Sequence, residues 1–320
     1  MVSVKRFRAV TLASIVVVLA ACADDGTAPR ESSFDRAQAQ MIGALVSAQL
    51  QSMISGLTAR DYSRSAFGGF LAPGSPVSAL APLLAQAQLL GPRWRVGAPS
   101  LTFPCTPRES DRTDSDGDGI ANDDTLSFTA AACGGTDPQS GVSVAVTGAV
   151  RVRDQGTIFG FELTFFDFQV RVVPRGQQIG STITLNGSYR ASVAAVGATA
   201  TQDLDYDFAI PGAPEVTVSY NWSADFTPVQ GMRISPNRVW PSGSFDVSGN
   251  LNYSIGDVTR AFSLDTAIPL AYDPGCEGQP PFTAGEIQAL LTTKQDVGFS
   301  LVSQHCGVLP TVVVLSGVRS

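Results

Sequence analysis

The sequence predicts a mainly β protein with a large antiparallel sheet, either a sandwich or a curved half-barrel, and N-terminal helices packed on it. From about residue 101 onward, hydrophobic and polar residues alternate with the period of two that is typical of strands. The 31 Gly and 20 Pro interrupt these runs at intervals suited to hairpins. With 44% hydrophobic and 15% charged residues among 320, the chain has the composition of a folded core rather than of a disordered protein.

The first two dozen residues have the pattern of an export signal. Lys5, Arg6 and Arg8 precede an apolar stretch over residues 9–20. This stretch is shorter than the roughly twenty residues of a membrane-spanning helix, and it fits the apolar core of a secretory signal peptide. It ends in Leu19-Ala20-Ala21-Cys22.

This tetrapeptide resembles the lipobox of bacterial lipoproteins. The resemblance implies that residues 1–21 are removed, that the sulfur of Cys22 carries a diacylglyceryl group, and that the new amino group is acylated. Acyl chains gain about 0.8 kcal/mol per buried methylene, so they would anchor the protein to a membrane. Ala23 follows the cysteine, which in this family favours the outer over the inner membrane of the cell envelope.

The charge of the chain excludes some partners. The full sequence has a net charge of -7, and removal of residues 1–21 leaves 18 basic and 28 acidic side chains, a net charge of -10. An acidic body argues against nucleic-acid binding and against adhesion to anionic lipid. We therefore expect no nucleic-acid partner, and we expect the acyl anchor to supply the membrane affinity. The sequence makes no prediction of oligomeric state.

Behind the cysteine we expect a flexible tether over residues 22–32, a helical segment over 33–95 and a β-rich domain over 96–320. In the helical segment, apolar residues recur at helical spacing from Phe34 to Leu57. A second apolar segment, 80–90, stops at Gly91-Pro92.

The sequence pattern predicts a series of strands in the β-rich domain. The valines between Val142 and Val152 alternate with polar or small residues, and Phe159 begins a second run whose apolar parity flips at Phe166. A β-bulge near Phe165-Phe166 would account for the flip. A sandwich, a closed barrel and a curved half-barrel share this pattern. Further alternating runs cover residues 183–189, 204–210, 216–222, 245–255, 262–264 and 297–301.

Four cysteines remain after Cys22, and export permits them to form disulfides in one of three connectivities. The most economical pairing is sequential: Cys105 with Cys133, and Cys276 with Cys306. Each bond would close a loop of roughly thirty residues and stabilise the protein by about 3 kcal/mol in the chain-entropy model. A thiolate metal site is disfavoured because no Cys-x-x-Cys spacing occurs.

An acidic loop lies inside the first cysteine pair. Three aspartates alternate from residue 114 to 118, Gly119 follows, and Thr125 occupies loop position twelve. The loop resembles those of thrombospondin type 3 repeats and the EF-hand Asp-x-Asp-x-Asp-Gly core, and the resemblance implies a structural calcium site within residues 114–125. Because position twelve lacks a bidentate Glu or Asp, we expect weaker binding than in a full EF-hand. The predicted ligands are Asp114, Asp116, Asp118, the Ile120 carbonyl, Asn122, and Asp123 or Asp124.

No catalytic residue is predicted. His305 is the only histidine, and the chain has no Gly-x-Ser-x-Gly motif. The leading hypothesis is a non-enzymatic, lipid-anchored envelope protein that binds a hydrophobic or envelope-derived ligand, such as a lipid or glycan, or a protein partner. An envelope hydrolase using paired carboxylates such as Glu162 and Asp167, or using His305, is one alternative. The other is a polysaccharide-binding or adhesive module with an exposed aromatic row drawn from Trp94, Trp222, Trp240, Tyr206, Tyr220 and Tyr253.

Overall fold

The computed structural model describes residues 34–58 and 108–315, apart from 35, 109, 112, 117–119, 137–140, 142, 156–158, 174, 236–238, 277–280 and 309. The predicted signal peptide, Cys22, the predicted tether and the second predicted helical segment at residues 80–90 therefore lie outside the described residues. No helix in the described part of the chain combines the length and hydropathy that crossing a bilayer requires.

The described β strands form one large, open, antiparallel sheet, which confirms the mainly β class. From β3 onward each strand pairs with the next in the chain, while β1 and β2 both pair with β3. The strands are β1 (Asp123–Phe128), β2 (Gly134–Thr136), β3 (Ser143–Asp154), β4 (Phe159–Val173), β5 (Ser181–Ala194), β6 (Gly197–Ala209), β7 (Val216–Pro228), β8 (Gly243–Ile255), β9 (Val258–Tyr272), β10 (Phe282–Leu291), β11 (Lys294–Ser303) and β12 (Thr311–Val314).

One face of the sheet is buried, and we name it the inner face. In β6, β7 and β8, buried and more exposed residues alternate along most of each strand, as expected for strands with one side on a core. The pairing register places the buried positions of neighbouring strands side by side, for example Leu204, Tyr220 and Leu251. The hydrophobic core therefore lies along the inner face.

The parity flip in β4 is a β-bulge, as the sequence predicted. Phe165 and Phe168 are both buried. Phe166, which the sequence pattern placed on the apolar face, is 48% exposed, so that part of the prediction was wrong and the apolar parity resumes at Phe168. The register with β5 shifts between Phe165 and Phe168, and Asp167 has a positive φ of 44°. The extra residue returns the apolar side chains to the inner face after the irregularity.

One helix, α1 (Arg36–Thr58), is described, and it packs on the inner face. Its backbone approaches β5 and β6 as well as β11 and β12. The Tyr189 hydroxyl donates a hydrogen bond of 3.0 Å to the Met53 carbonyl. Gly43 permits close contact with β12, because a Cβ there would lie 2.8 Å from a Val312 methyl carbon. Apolar side chains at helical spacing face the core: Ile42, Val46, Leu50, Met53 and Leu57.

The predicted bond between Cys276 and Cys306 is present, with a Cα–Cα distance of 5.6 Å. It links the β9–β10 connection to the β11–β12 connection. Cys133 is buried and disulfide-bonded, while its predicted partner Cys105 lies outside the described residues.

We expect the double substitution Cys276→Ser/Cys306→Ser to lower the free energy of unfolding by about 3–4 kcal/mol. The bond closes a chain segment with a separation of 30 residues, and its loss increases the entropy of the unfolded chain. Urea unfolding of the variant against the oxidised parent measures this difference. Equal urea midpoints would contradict the expected stabilisation.

Candidate functional site

A buried polar contact joins α1 to β6. Gln49 lies on the apolar side of the helix and is only 1% exposed. Its Nε2 donates to Gln202 Oε1 at 3.1 Å and to the Tyr206 hydroxyl at 3.0 Å. A buried glutamine on a helix face that otherwise packs on a sheet needs such partners, because an unpaired amide is costly to desolvate.

The sheet register surrounds this contact with aromatic rings. Gln202 pairs with Trp222 on β7, so their Cβ atoms lie about 5 Å apart. The Tyr220 and Trp222 ring centroids are 5.3 Å apart, and those of Tyr206 and Tyr220 are 5.6 Å apart. Tyr253 on β8 lies in the same row across the sheet as Tyr206, because both residues pair with Val218 on β7. We name Gln49, Gln202, Tyr206, Tyr220, Trp222 and Tyr253 the polar–aromatic cluster.

Several polar atoms of this cluster are buried without a hydrogen-bond partner. They are Gln49 Oε1, Gln202 Nε2, Trp222 Nε1 and Tyr253 Oη. The four residues are at most 3% exposed. Each such atom costs about 1–3 kcal/mol, and native proteins contain few of them. Gln49 and Gln202 make the helix–sheet contact, Trp222 pairs with Gln202, and Tyr253 lies two strands from Tyr206 in the same row. This group is therefore a candidate binding site.

The cluster carries no charge at neutral pH. Burial raises the pKa of Tyr253 to about 12 and raises the pKa values of Tyr206 and Tyr220 above their usual range. Asp124 on β1 is the one charged side chain that is buried among the described residues. Arg260 on β9 is the direct strand partner of Tyr253, and its guanidinium carbon lies 5.6 Å from the Phe34 ring centroid. The cluster can therefore donate and accept hydrogen bonds, but it supplies no ion pair.

No known family matches this chain. Family models, curated proteins and solved structures were each compared with it, and none gives a significant match.

Sequence reasoning missed Gln49 and Gln202 as site residues, although each left a signal. Gln202 interrupts the buried positions of β6 between Ala200 and Leu204. Gln49 lies next to Leu50 within a helix whose other inward residues are mainly apolar. A glutamine at an inward position in both elements indicates a buried polar contact, but not which residue is its partner.

In the described part of the acidic loop, some of the predicted calcium ligands accept hydrogen bonds from neighbouring protein groups. Asp124 Oδ1 accepts hydrogen bonds from Ser110 N, Ser110 Oγ and Asp111 N at 2.8, 3.0 and 2.9 Å. Asn122 Oδ1 accepts from Ser115 N and Oγ at 3.1 and 2.9 Å. These hydrogen bonds tie residues 110–115 to Asn122 and to the start of β1.

Asp123 lies on the other face of β1 and pairs with an arginine. Arg151 donates to it from Nε at 2.6 Å and also from Nη2. These hydrogen bonds hold the pKa of the Asp123 carboxyl below its usual range. Asp123 and Asp124 therefore have roles that the sequence did not predict.

The other predicted calcium ligands are spread over described and undescribed residues. Asp114 is half-buried, Asp116 is exposed and Ile120 is buried, while Asp118 lies outside the described residues. Within the described ranges, no three His, Cys, Asp or Glu side chains gather closely enough to hold a metal ion. Calcium binding by this loop stays a prediction.

We expect Asp124→Ala to lower the free energy of unfolding by about 2–4 kcal/mol, because it leaves three donors without their acceptor. Asp123→Ala is the matched control, because Asp123 is the adjacent residue and its own carboxylate is exposed. Water screens the ion pair that this carboxylate makes with Arg151. Thermal unfolding in excess chelator separates this effect from any bound cation. Equal losses in the two variants would contradict the role given to Asp124.

The residues of the alternative hypotheses have other surroundings. Glu162 accepts hydrogen bonds from Gln155 and Arg190, while Asp167 contacts Asn186. The Cα atoms of Glu162 and Asp167 are five residues apart along β4, or about 16 Å, whereas the carboxyl groups of a glycosidase pair lie roughly 5–10 Å apart. His305 is exposed. Trp94 lies outside the described residues, and the other proposed stacking residues are buried: Trp222, Trp240, Tyr206, Tyr220 and Tyr253.

Proposed function

We propose that this chain is a non-enzymatic lipoprotein of the cell envelope that binds one hydrophobic ligand between α1 and the inner face of its sheet. The observation that carries the proposal is the set of unpartnered polar atoms in the polar–aromatic cluster. Ligand sites are mostly apolar, with a few polar groups that fix the orientation of the ligand. A ligand that satisfies these atoms would recover the free energy that their burial costs.

We further propose that the sheet curves into a half-barrel around α1. The helix contacts β5 and β6 as well as β11 and β12. In a flat sheet β6 and β11 would be about 24 Å apart, whereas a helix with its side chains is about 10–12 Å wide. The bulge in β4 and positive-φ glycines inside β5 and β8 support curvature. A half-barrel would place β7–β9 at the back of a trough that α1 crosses.

An internal site is favoured over the two alternative functions. A polysaccharide-binding surface would present exposed aromatic rings, but the described tryptophans and the cluster tyrosines are buried. A hydrolase would need converging carboxylates, and Glu162 and Asp167 bond to different neighbours. These observations support ligand binding without chemistry on the ligand.

The anchor is proposed from the lipobox. Mass spectrometry of the membrane-extracted protein should show a mature chain that begins at Cys22 and carries two or three acyl chains. We expect the protein to fractionate with the outer membrane, and an unmodified Cys22 would contradict the anchor.

A structural calcium ion near residues 114–122 is also proposed, from the resemblance of the Asp114, Asp116 and Asp118 motif. Because Asn122, Asp123 and Asp124 already have protein partners, we expect weak binding. Calcium should raise the melting temperature of the parent, and Asp116→Ala should abolish the rise. An unchanged melting curve in excess calcium would contradict the site.

Native mass spectrometry of the full mature protein, extracted in mild detergent, tests the ligand hypothesis. We expect a non-covalent adduct of one hydrophobic molecule per chain, which is released on denaturation. The proposal would be wrong if no adduct were present and if a series of added alkyl compounds neither bound the protein nor raised its melting temperature.

A further inference from the structure

We infer that the ligand carries an uncharged hydrogen-bond acceptor, the carbonyl oxygen of a fatty-acid ester, and that this oxygen binds between Gln202 and Trp222. The inference rests on the proposed ligand-binding function and names the chemical class of the ligand. Its basis is the kind of polar atom left without a partner, the arrangement of these atoms and the charge around them.

The two residues carry unpartnered donors at directly opposed positions of β6 and β7. An indole Nε1 can only donate a hydrogen bond, and that of Trp222 has no acceptor. Gln202 uses its Oε1 to accept from Gln49, so its unpartnered Nε2 is also a donor. Gln202 and Trp222 are directly paired across β6 and β7. One carbonyl oxygen has two lone pairs and can accept from both donors.

The lack of charged side chains around Gln202 and Trp222 favours a neutral ester over a negatively charged free fatty acid as the ligand. The buried positions of β5, β6, β7 and β8 contain no Asp, Glu, Lys or Arg. The Arg260 guanidinium of β9 lies on the same face, but its strand partner is Tyr253 and it lies over the Phe34 ring. Among the described residues of β5 to β8, a carboxylate at Gln202 and Trp222 would therefore be a buried charge with no cationic neighbour, which is strongly unfavourable. An ester carbonyl brings the acceptor without the charge.

A third atom indicates a hydroxyl on the same ligand. Gln49 Oε1 is a buried acceptor without a donor, and the Nε2 of the same amide lies 3.1 Å from Gln202 Oε1. A hydroxyl close to the ester carbonyl would donate to Gln49 Oε1 while the carbonyl accepts from the two donors. A monoacylglycerol has this combination of an ester carbonyl and a nearby hydroxyl.

The test compares 1-oleoylglycerol with oleate on delipidated, full-length mature protein at pH 8, with affinities from displacement of a fluorescent hydrophobic dye. We expect the parent to bind oleoylglycerol at least tenfold more tightly than oleate. Trp222→Phe and Gln202→Leu each remove one donor and should weaken oleoylglycerol binding about 3–10-fold. Trp240→Phe is the matched control, because Trp240 is buried against Phe226. It should leave the affinity unchanged.

The outcomes distinguish the inference from the function on which it depends. The inference is overturned if oleate binds as tightly as oleoylglycerol, or if Trp222→Phe and Trp240→Phe have equal effects. Because the ester–acid comparison uses the parent protein alone, it decides the question even if both site variants misfold. Failure of the parent to bind either compound or the dye would overturn the proposed function and the inference together.

Discussion

Gly249→Ala is expected to lower the free energy of unfolding by about 3–5 kcal/mol, because the change combines backbone strain with a steric clash. Gly249 is a β8 residue with φ of +146°, and it is paired with Trp222 on β7. A Cβ there would lie 2.3 Å from the Asn221 carbonyl oxygen and 2.4 Å from the Trp222 Cα. Both contacts are with backbone, so β7 itself would have to move.

Gly212→Ala provides the control for this substitution. Gly212 also has a positive φ, +77°, but a Cβ there would meet nothing within 4 Å. It should lose only about 1–2 kcal/mol, the strain of a left-handed residue. Urea unfolding of both variants measures the difference. Equal losses would show that close packing of β8 on β7 is not what requires glycine at position 249.

Alkaline pH is expected to destabilise the protein steeply above pH 10, because the buried tyrosines of the polar–aromatic cluster resist ionisation. The pKa of Tyr253 is raised by burial to about 12, against about 10 in an unfolded chain. Between these values the unfolded chain loses a proton that the folded protein keeps, so stability falls as pH rises. Tyr253 alone accounts for about 2–3 kcal/mol over this window, and Tyr206 and Tyr220 act in the same direction.

Tyr253→Phe should flatten this pH profile. It should also raise the stability of the ligand-free protein at pH 7 by about 1 kcal/mol, because the hydroxyl that it removes has no partner. Urea unfolding from pH 7 to 11.5, with the parent as reference, measures both effects. A parallel pH profile for the variant would contradict the burial of this hydroxyl.

The strand pattern and the bulge could be predicted because both depend on local alternation of side chains. The parity flip after Phe165 was visible in the sequence, and the register shift lies at that point. The hydrogen bond between Gln49 and Gln202 could not be predicted, because it joins residues 153 positions apart. Nothing local specifies which strand a buried polar residue of a helix will meet.

The acidic loop is a second case in which the sequence did not reveal the contacts between distant residues. The aspartate spacing indicated oxygen ligands for a cation, but it did not reveal the neighbours of each carboxylate. Asp123 pairs with Arg151 because β1 lies beside β3. Asp124 faces the opposite side of β1 and accepts hydrogen bonds from residues 110 and 111. Adjacent aspartates in a strand have different environments, because successive side chains point to opposite faces.

Stability and binding should oppose each other in the polar–aromatic cluster. Its unpartnered donors and acceptors destabilise the folded protein. Substitutions that remove them can therefore stabilise the ligand-free chain while weakening its affinity. This opposition would distinguish a binding site from an ordinary part of the core.

Fluorescence quenching of Trp222 tests most directly whether a hydrophobic ligand occupies the inner face. In the variant Trp94→Phe/Trp240→Phe, Trp222 is the only indole, and a monoacylglycerol with a brominated chain quenches it on contact. We predict saturable quenching at one ligand per chain. Weak quenching that rises without saturation would contradict an internal ligand site.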